Sequence, residues 1–178
     1  FALVAAPGKA WQSISSKEES QATFLNGYLY PIMGITALSV FVNLLNDQFT
    51  LEKALKLMTI DFVKFFVGFY IASFLIDELL QKFFDREKNP KQVQLFVGYT
   101  LSVYMLITIF LNLFMGMFSF LRFAPLYIIY IIWEGSKYYM DINENKRLMF
   151  VVLSSLILIF SPDIIERFMF ILMPGLGN

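Results

Sequence analysis

The sequence predicts an all-α polytopic membrane protein: a five-helix transmembrane bundle with an interfacial helix near each end. Three observations lead there. Of 178 residues, 58% are hydrophobic and only 16% charged, whereas an ordinary globular domain is about 45–50% apolar and about a quarter charged. Phe alone contributes 21 residues, and its side chain suits lipid contact as well as packing. The apolar residues also fall into runs of about 20, the length a bilayer demands of a helix, with short charged stretches between them.

The first predicted span is 24–45, inside an uncharged stretch from Ser20 to Asn46, with Tyr28 and Tyr30 at one edge as interfacial aromatics. Pro31 kinks it or marks its first turns. The second span, 57–79, carries Asp61 and Lys64 near its start and Asp77-Glu78 near its end. The longest uncharged run, Gln92 to Leu121, holds the third span, 93–113, and a turn around Gly116. A fourth span covers 118–138, with Arg122 near its start and Pro125 as a kink. The apolar stretch from Val93 to Trp133 corresponds to about 60 Å of helix, twice the bilayer core, which favours two spans over one.

The fifth span is 148–161. Ser161-Pro162-Asp163 reads as a new helix start, with Ser as N-cap, Pro at the first position and an acid in the first turn. Residues 162–173 then set Ile164, Ile165, Phe168, Met169 and Leu172 against Asp163, Glu166 and Arg167, the pattern of a helix lying in the interface. A single bent helix over the whole of 148–173 is the alternative. At the other end, residues 1–23 form a cytoplasmic interfacial segment: Pro7 opens a helix that places Val4, Trp11 and Ile14 on one side, and Trp beside Lys9 suits a membrane surface. The chain opens on Phe1 rather than Met, which implies residues upstream. Phe1 to Ala6 is too short for a signal peptide's apolar region.

Composition narrows the chemistry. The chain has no Cys and no His, the usual zinc ligands and the source of thiol nucleophiles and of the commonest general base near pH 7. No phosphate loop, H-E-x-x-H or G-x-S-x-G occurs. The expectation is a protein that is not an enzyme and holds no metal or cofactor. Net charge is zero and no basic run exceeds Lys146-Arg147, so nucleic acid is not expected as a partner. Membrane lipids and unidentified proteins are, and Phe-rich faces suit a second copy of the chain as well as lipid, so a homo-oligomer stays open.

Five spans put nine Lys/Arg residues on the N-terminal side (Lys9, Lys17, Lys82, Arg86, Lys88, Lys91, Lys137, Lys146 and Arg147) and four on the other (Lys53, Lys56, Arg122 and Arg167). Positive charge stays in the cytoplasm, which predicts a cytoplasmic N-terminus and an external C-terminus.

Ionisable residues inside spans are expensive and mark candidate sites. Asp61, Lys64 and Arg122 form the candidate intramembrane polar site. Asp61 and Lys64, three apart, share a helix face and can pair. One reading is a proton or ion site; the blander one is a local pair near the outer interface with Lys64 snorkelling. Arg122 is either an interfacial anchor, or a partner for lipid phosphate or for Asp61 or Glu52 on the same side. Asn43, Asn112, Ser154 and Ser155 are expected to make interhelical hydrogen bonds.

Four short elements then carry a family resemblance. They are Pro7-Gly8-Lys9-Ala10-Trp11 before the first span, Tyr30-Pro31-Ile32-Met33-Gly34 at its start, Val97-Gly98-Tyr99-Thr100-Leu101-Ser102 in the third, and Ile131-Ile132-Trp133 before a polar loop. In their order and spacing the chain resembles the Yip family of Ypt/Rab-interacting membrane proteins, in its short bacterial form. Pro7, Trp11, Tyr30, Pro31, Gly98, Tyr99 and Trp133 are the motif positions. The chain lacks the longer N-terminal region and the acidic D-L-Y-G-P element of eukaryotic members, and Tyr104 stands where many relatives have Pro. Rab binding therefore does not carry over. The resemblance implies an integral protein of the bacterial inner membrane that acts as a non-enzymatic organiser or adaptor. The alternative is a transporter of a small solute, ion or lipid, for which Asp61, Lys64 and Arg122 would be the site.

Overall fold

A computed structural model describes residues 2–17, 19–46, 48–114 and 119–173, with the backbone alone at 119–122. All regular structure among these residues is helical. Two short helices, α1 (Ala2–Ala5) and α2 (Pro7–Ser16), precede four long ones: α3 (Gln21–Leu45), α4 (Leu51–Phe84), α5 (Pro90–Leu113) and α7 (Glu144–Leu172). These four have the length and apolarity to cross a bilayer. A 3₁₀ stretch, Ser119–Leu126, leads into the shorter α6 (Tyr127–Tyr138).

Local chemistry accounts for the boundaries. Ser20, Thr50, Asn89 and Asn143 cap α3, α4, α5 and α7, each side chain accepting a backbone N–H from the first turn. Pro7 and Pro90 sit in the first turns of α2 and α5, where no backbone donor is missed. In α3, Pro31 withholds an N–H from the carbonyl of Gly27. The turn just before it, Leu25–Leu29, is widened to a π-helix, which makes room for the ring. α4 stops at Asp85, whose φ of 53° is left-handed.

Among the described residues the four long helices run between the ends of the bundle, with the shorter segment 119–138 beside them. At the N-terminal end, Gln21 meets Gln94, Gln92 donates to the carbonyl of Tyr139 at 3.0 Å, and Lys146 donates to the carbonyl of Phe83 at 3.1 Å. At the other end Asn112 donates to Ser39 Oγ at 2.8 Å. The segment 119–138 differs from the predicted 118–138 span. α6 has twelve residues, about 18 Å, well short of a ~30 Å hydrocarbon core, because the segment around Pro125 runs as 3₁₀ turns. The turn at Gly116 lies outside the described residues.

The division expected at Pro162 is absent. α7 is continuous from Glu144 to Leu172 with Pro162 inside it, so residues 162–173 extend the last span and form no separate interfacial helix. Packing against α4 explains this. The two helices run antiparallel, with Phe84 and Phe150 rings 5.6 Å apart at one end. Midway, Gly68 lets α7 come so close that a Cβ there would lie 3.2 Å from the Pro162 nitrogen.

The N-terminal segment also departs from expectation. α2 docks on α6, and Trp11 is fully buried in protein instead of lying in lipid. Its Nε1 donates to the Ile131 carbonyl at 2.9 Å, and its ring lies 5.4 Å from Phe96 and 5.3 Å from Tyr139. Burial, aided by the Glu19 carboxylate, pushes the Tyr139 hydroxyl up to about 12, so it remains neutral beside Trp11. Gly135 makes the nest possible, since a Cβ there would sit 2.8 Å from Trp11 Cε2.

Gly98 does the same for α3 against α5: a Cβ would fall 2.6 Å from Phe24 Cε1 and 3.2 Å from Leu29 Cδ2. Rigid ring atoms cannot swing aside cheaply. Gly98→Ala is expected to cost about 1–3 kcal/mol through overpacking, read as a lower unfolding midpoint in detergent. An unchanged midpoint would mean that α3 shifts freely on α5.

Candidate functional site

Asp61 and Lys64 stand one turn apart on α4, and both side chains are nearly closed off, at 8% residue exposure. Lys64 Nζ lies 2.7 Å from Asp61 Oδ1 and 3.2 Å from Glu166 Oε1 on α7. Beside them, Tyr104 of α5 donates to Asp163 Oδ1 at 3.0 Å, and its ring packs edge-on against Phe65 at 5.5 Å. Three helices thus bring one cation, three carboxyls and a phenol into one neighbourhood.

The depth of this cluster follows from helix geometry. α4 begins at Leu51, six residues before the predicted start. Lys64 is therefore about 20 Å from its first residue, close to the helix midpoint and not in the opening turns. The expected local pair is present, and Glu166 of α7 joins it as an interhelical partner of Lys64.

The continuity of α7 through Pro162 supplies the second helix of the site. Asp163 and Glu166 are three apart, so the helix presents both toward α4 and α5. Sequence reasoning placed them on the polar face of an interfacial helix and placed Tyr104 only as a departure from a family pattern. The available signal was the matched spacing of two acid-bearing turns, Asp61–Lys64 and Asp163–Glu166, in otherwise apolar helices. Asp61 and Lys64 are brought together as expected. The Arg122 side chain lies outside the described residues.

The motif positions gather elsewhere, at the N-terminal end. Pro7 starts α2, and Trp11 fills the nest already described. Tyr99 donates to Glu19 Oε2 at 2.6 Å, and its ring lies 4.5 Å from Phe24. Tyr30, just before Pro31, shares a 2.6 Å hydrogen bond with the Tyr70 hydroxyl. Trp133 is partly exposed, with the Arg147 guanidinium 5.9 Å from its ring. Of the polar residues expected to bond between helices, Asn112 does so, while Asn43 bonds within its own helix, to the Val40 carbonyl. The hydroxyls of Ser154 and Ser155 are buried without a hydrogen-bond partner among the described residues. The described residues hold no cluster of three or more acids, His or Cys arranged for a metal ion.

The family model for the Yip1 domain matches residues 1–162. Comparison with curated proteins and with solved structures finds no match. The matched segment contains α1 to α6, the Trp11 nest, the Gly98 contact and the Asp61–Lys64 pair, and it ends just before Asp163 and Glu166. With nine-tenths of its length covered, and with several apolar helices long enough to cross a bilayer, the chain is an integral membrane protein that belongs to the Yip1 domain family.

Proposed function

We propose that the protein is a non-enzymatic membrane organiser whose transmembrane body is wider at one end than the other. The observation that carries this reading is the short α6 with α2 strapped across it. Both lie toward the end of the bundle that holds Gln21, Gln92 and Tyr139. There, among the described residues, four long helices are joined by the α2–α6 pair; in the opposite half the described residues add the 3₁₀ segment to the four. A body of unequal cross-section couples to lipid packing and curvature, as interfacial helices do by a different route. The nine Lys and Arg residues on the wider side favour placing it in the cytoplasm of a bacterial cell, with the C-terminus outside the inner membrane. Lipids are the first partners of such a body.

The transporter alternative expects its site at Asp61, Lys64 and Arg122; the Arg122 side chain lies outside the described residues, and Asp61 and Lys64 are joined by Glu166. Their charges are engaged with one another, which favours a structural clamp over a route for solute. One experiment separates the two. Protein is reconstituted into phosphatidylcholine liposomes at rising protein-to-lipid ratio, and vesicle diameter by cryo-microscopy is read alongside leakage of entrapped ions. The organiser reading expects diameter to fall with protein density while entrapped ions stay inside. Constant diameter together with ion flux that Lys64→Met abolishes would replace it with transport.

A further inference from the structure

Where α6 is too short to cover α5, an apolar groove of about 470 Å³ opens along α5, floored by Val103, Leu106, Ile107 and Phe110 and walled by Val4 and Tyr127. Those α5 residues recur at three- and four-residue spacing, the stripe that a full-length neighbour would bury. A second cavity, of about 280 Å³, adjoins it and shares Val4, Val103 and Leu106 with it. This one is amphipathic: Lys17, Glu19, Tyr28, Tyr99 and Ser102 also line it. The two together grade from charged at the N-terminal end of the bundle to wholly apolar deeper in.

We propose that this continuous groove is a binding site for a single phospholipid with a zwitterionic, amine-bearing headgroup. The charges match that chemistry. Lys17 is exposed, and among the described residues no carboxylate lies within ion-pair distance of it, which leaves it for a phosphate. Glu19 accepts one bond, from Tyr99, and its remaining acceptor capacity suits an ammonium. The length matches too. From Tyr99 to Phe110 is about 16 Å of helix, half of a ~30 Å hydrocarbon core, so an acyl chain from the near leaflet reaches the apolar part of the groove. α1 lies where the two cavities meet, with Leu3 and Val4 against the path. This goes beyond the proposed organising role, because a wide-ended body needs no particular lipid.

The test is native mass spectrometry of purified protein equilibrated with phosphatidylethanolamine, phosphatidylglycerol or phosphatidylcholine in detergent micelles. The wild type is expected to retain one phosphatidylethanolamine per chain, at about fivefold or more over either other lipid. Leu106→Trp, which fills the apolar groove, and Lys17→Ala, at an exposed position that leaves packing untouched, are each expected to lower that retention by about threefold or more. The unfolding midpoint of Lys17→Ala should equal that of the wild type. Undiminished retention in either variant, or equal retention of phosphatidylglycerol or phosphatidylcholine, would overturn the assignment. Vesicle diameter is a separate readout, so failure here leaves the organiser reading to its own experiment.

Discussion

Replacing Lys64 with Met is expected to destabilise the protein by about 3–5 kcal/mol, the loss incurred when one partner of a buried ion pair is removed. Met fills most of the volume, so packing is conserved and charge is what changes. Asp61 then sits at 8% exposure with no cation beside it. Glu166, whose side chain is a third exposed, retains some freedom to turn away, which places the expected value toward the lower end of that range. Each carboxylate left in hydrocarbon carries a penalty of about 2.5–3.5 kcal/mol if it stays ionised. The measurement is the unfolding midpoint in one detergent for the single variant and for the triple Lys64→Met, Asp61→Asn, Glu166→Gln. Because the triple removes the unpaired charges as well as the cation, it should recover most of the stability. If the single variant melted with the wild type, the ion pairs would be incidental and the clamp between α4 and α7 would have to reside in packing, at Gly68–Pro162 and Phe84–Phe150.

The second large effect is expected at Trp11. Truncating a fully buried aromatic to Ala typically costs about 3–5 kcal/mol, and here it also removes the indole donor to Ile131. The Ile131 carbonyl keeps its place in the α6 ladder, so the lost hydrogen bond adds only about 1 kcal/mol. The cavity would lie between α2, α5 and α6, at the ring positions now held against Phe96 and Tyr139. α2 should therefore detach before the long helices separate, and its backbone at the already exposed Lys9 and Lys17 should then unfold locally and be cut by trypsin. Ile14→Ala, at a half-buried position on the same helix, serves as the comparison and should cost far less. Equal tryptic cleavage of the two variants would mean that α2 is held by something other than its tryptophan.

These two sites show how unevenly the structure could be read from the chain. Uncharged runs such as Ser20 to Asn46 and Gln92 to Leu121 marked the first and third long helices to within a few residues, while the caps at Asn89 and Asn143 went unread. The same local logic misled at Ser161-Pro162-Asp163. It describes a good helix start, yet Pro162 is seated against Gly68, and the contact carries the helix straight through. Trp11 beside Lys9 has the composition of a membrane-surface helix, but Gly135 leaves a hole on α6 that the indole fills.

Membrane residence, all-helical class and the approximate placement of the long helices were determined by the sequence alone, because hydropathy, span length and capping act between residues close along the chain. Only the tertiary structure decided that Glu166 meets Lys64 across 102 positions, that Trp11 meets Ile131 across 120, and that α6 stops short and leaves a groove. Such pairings depend on which helix faces settle against each other and how closely small residues let them approach, and one sequence's periodicity is compatible with many of them.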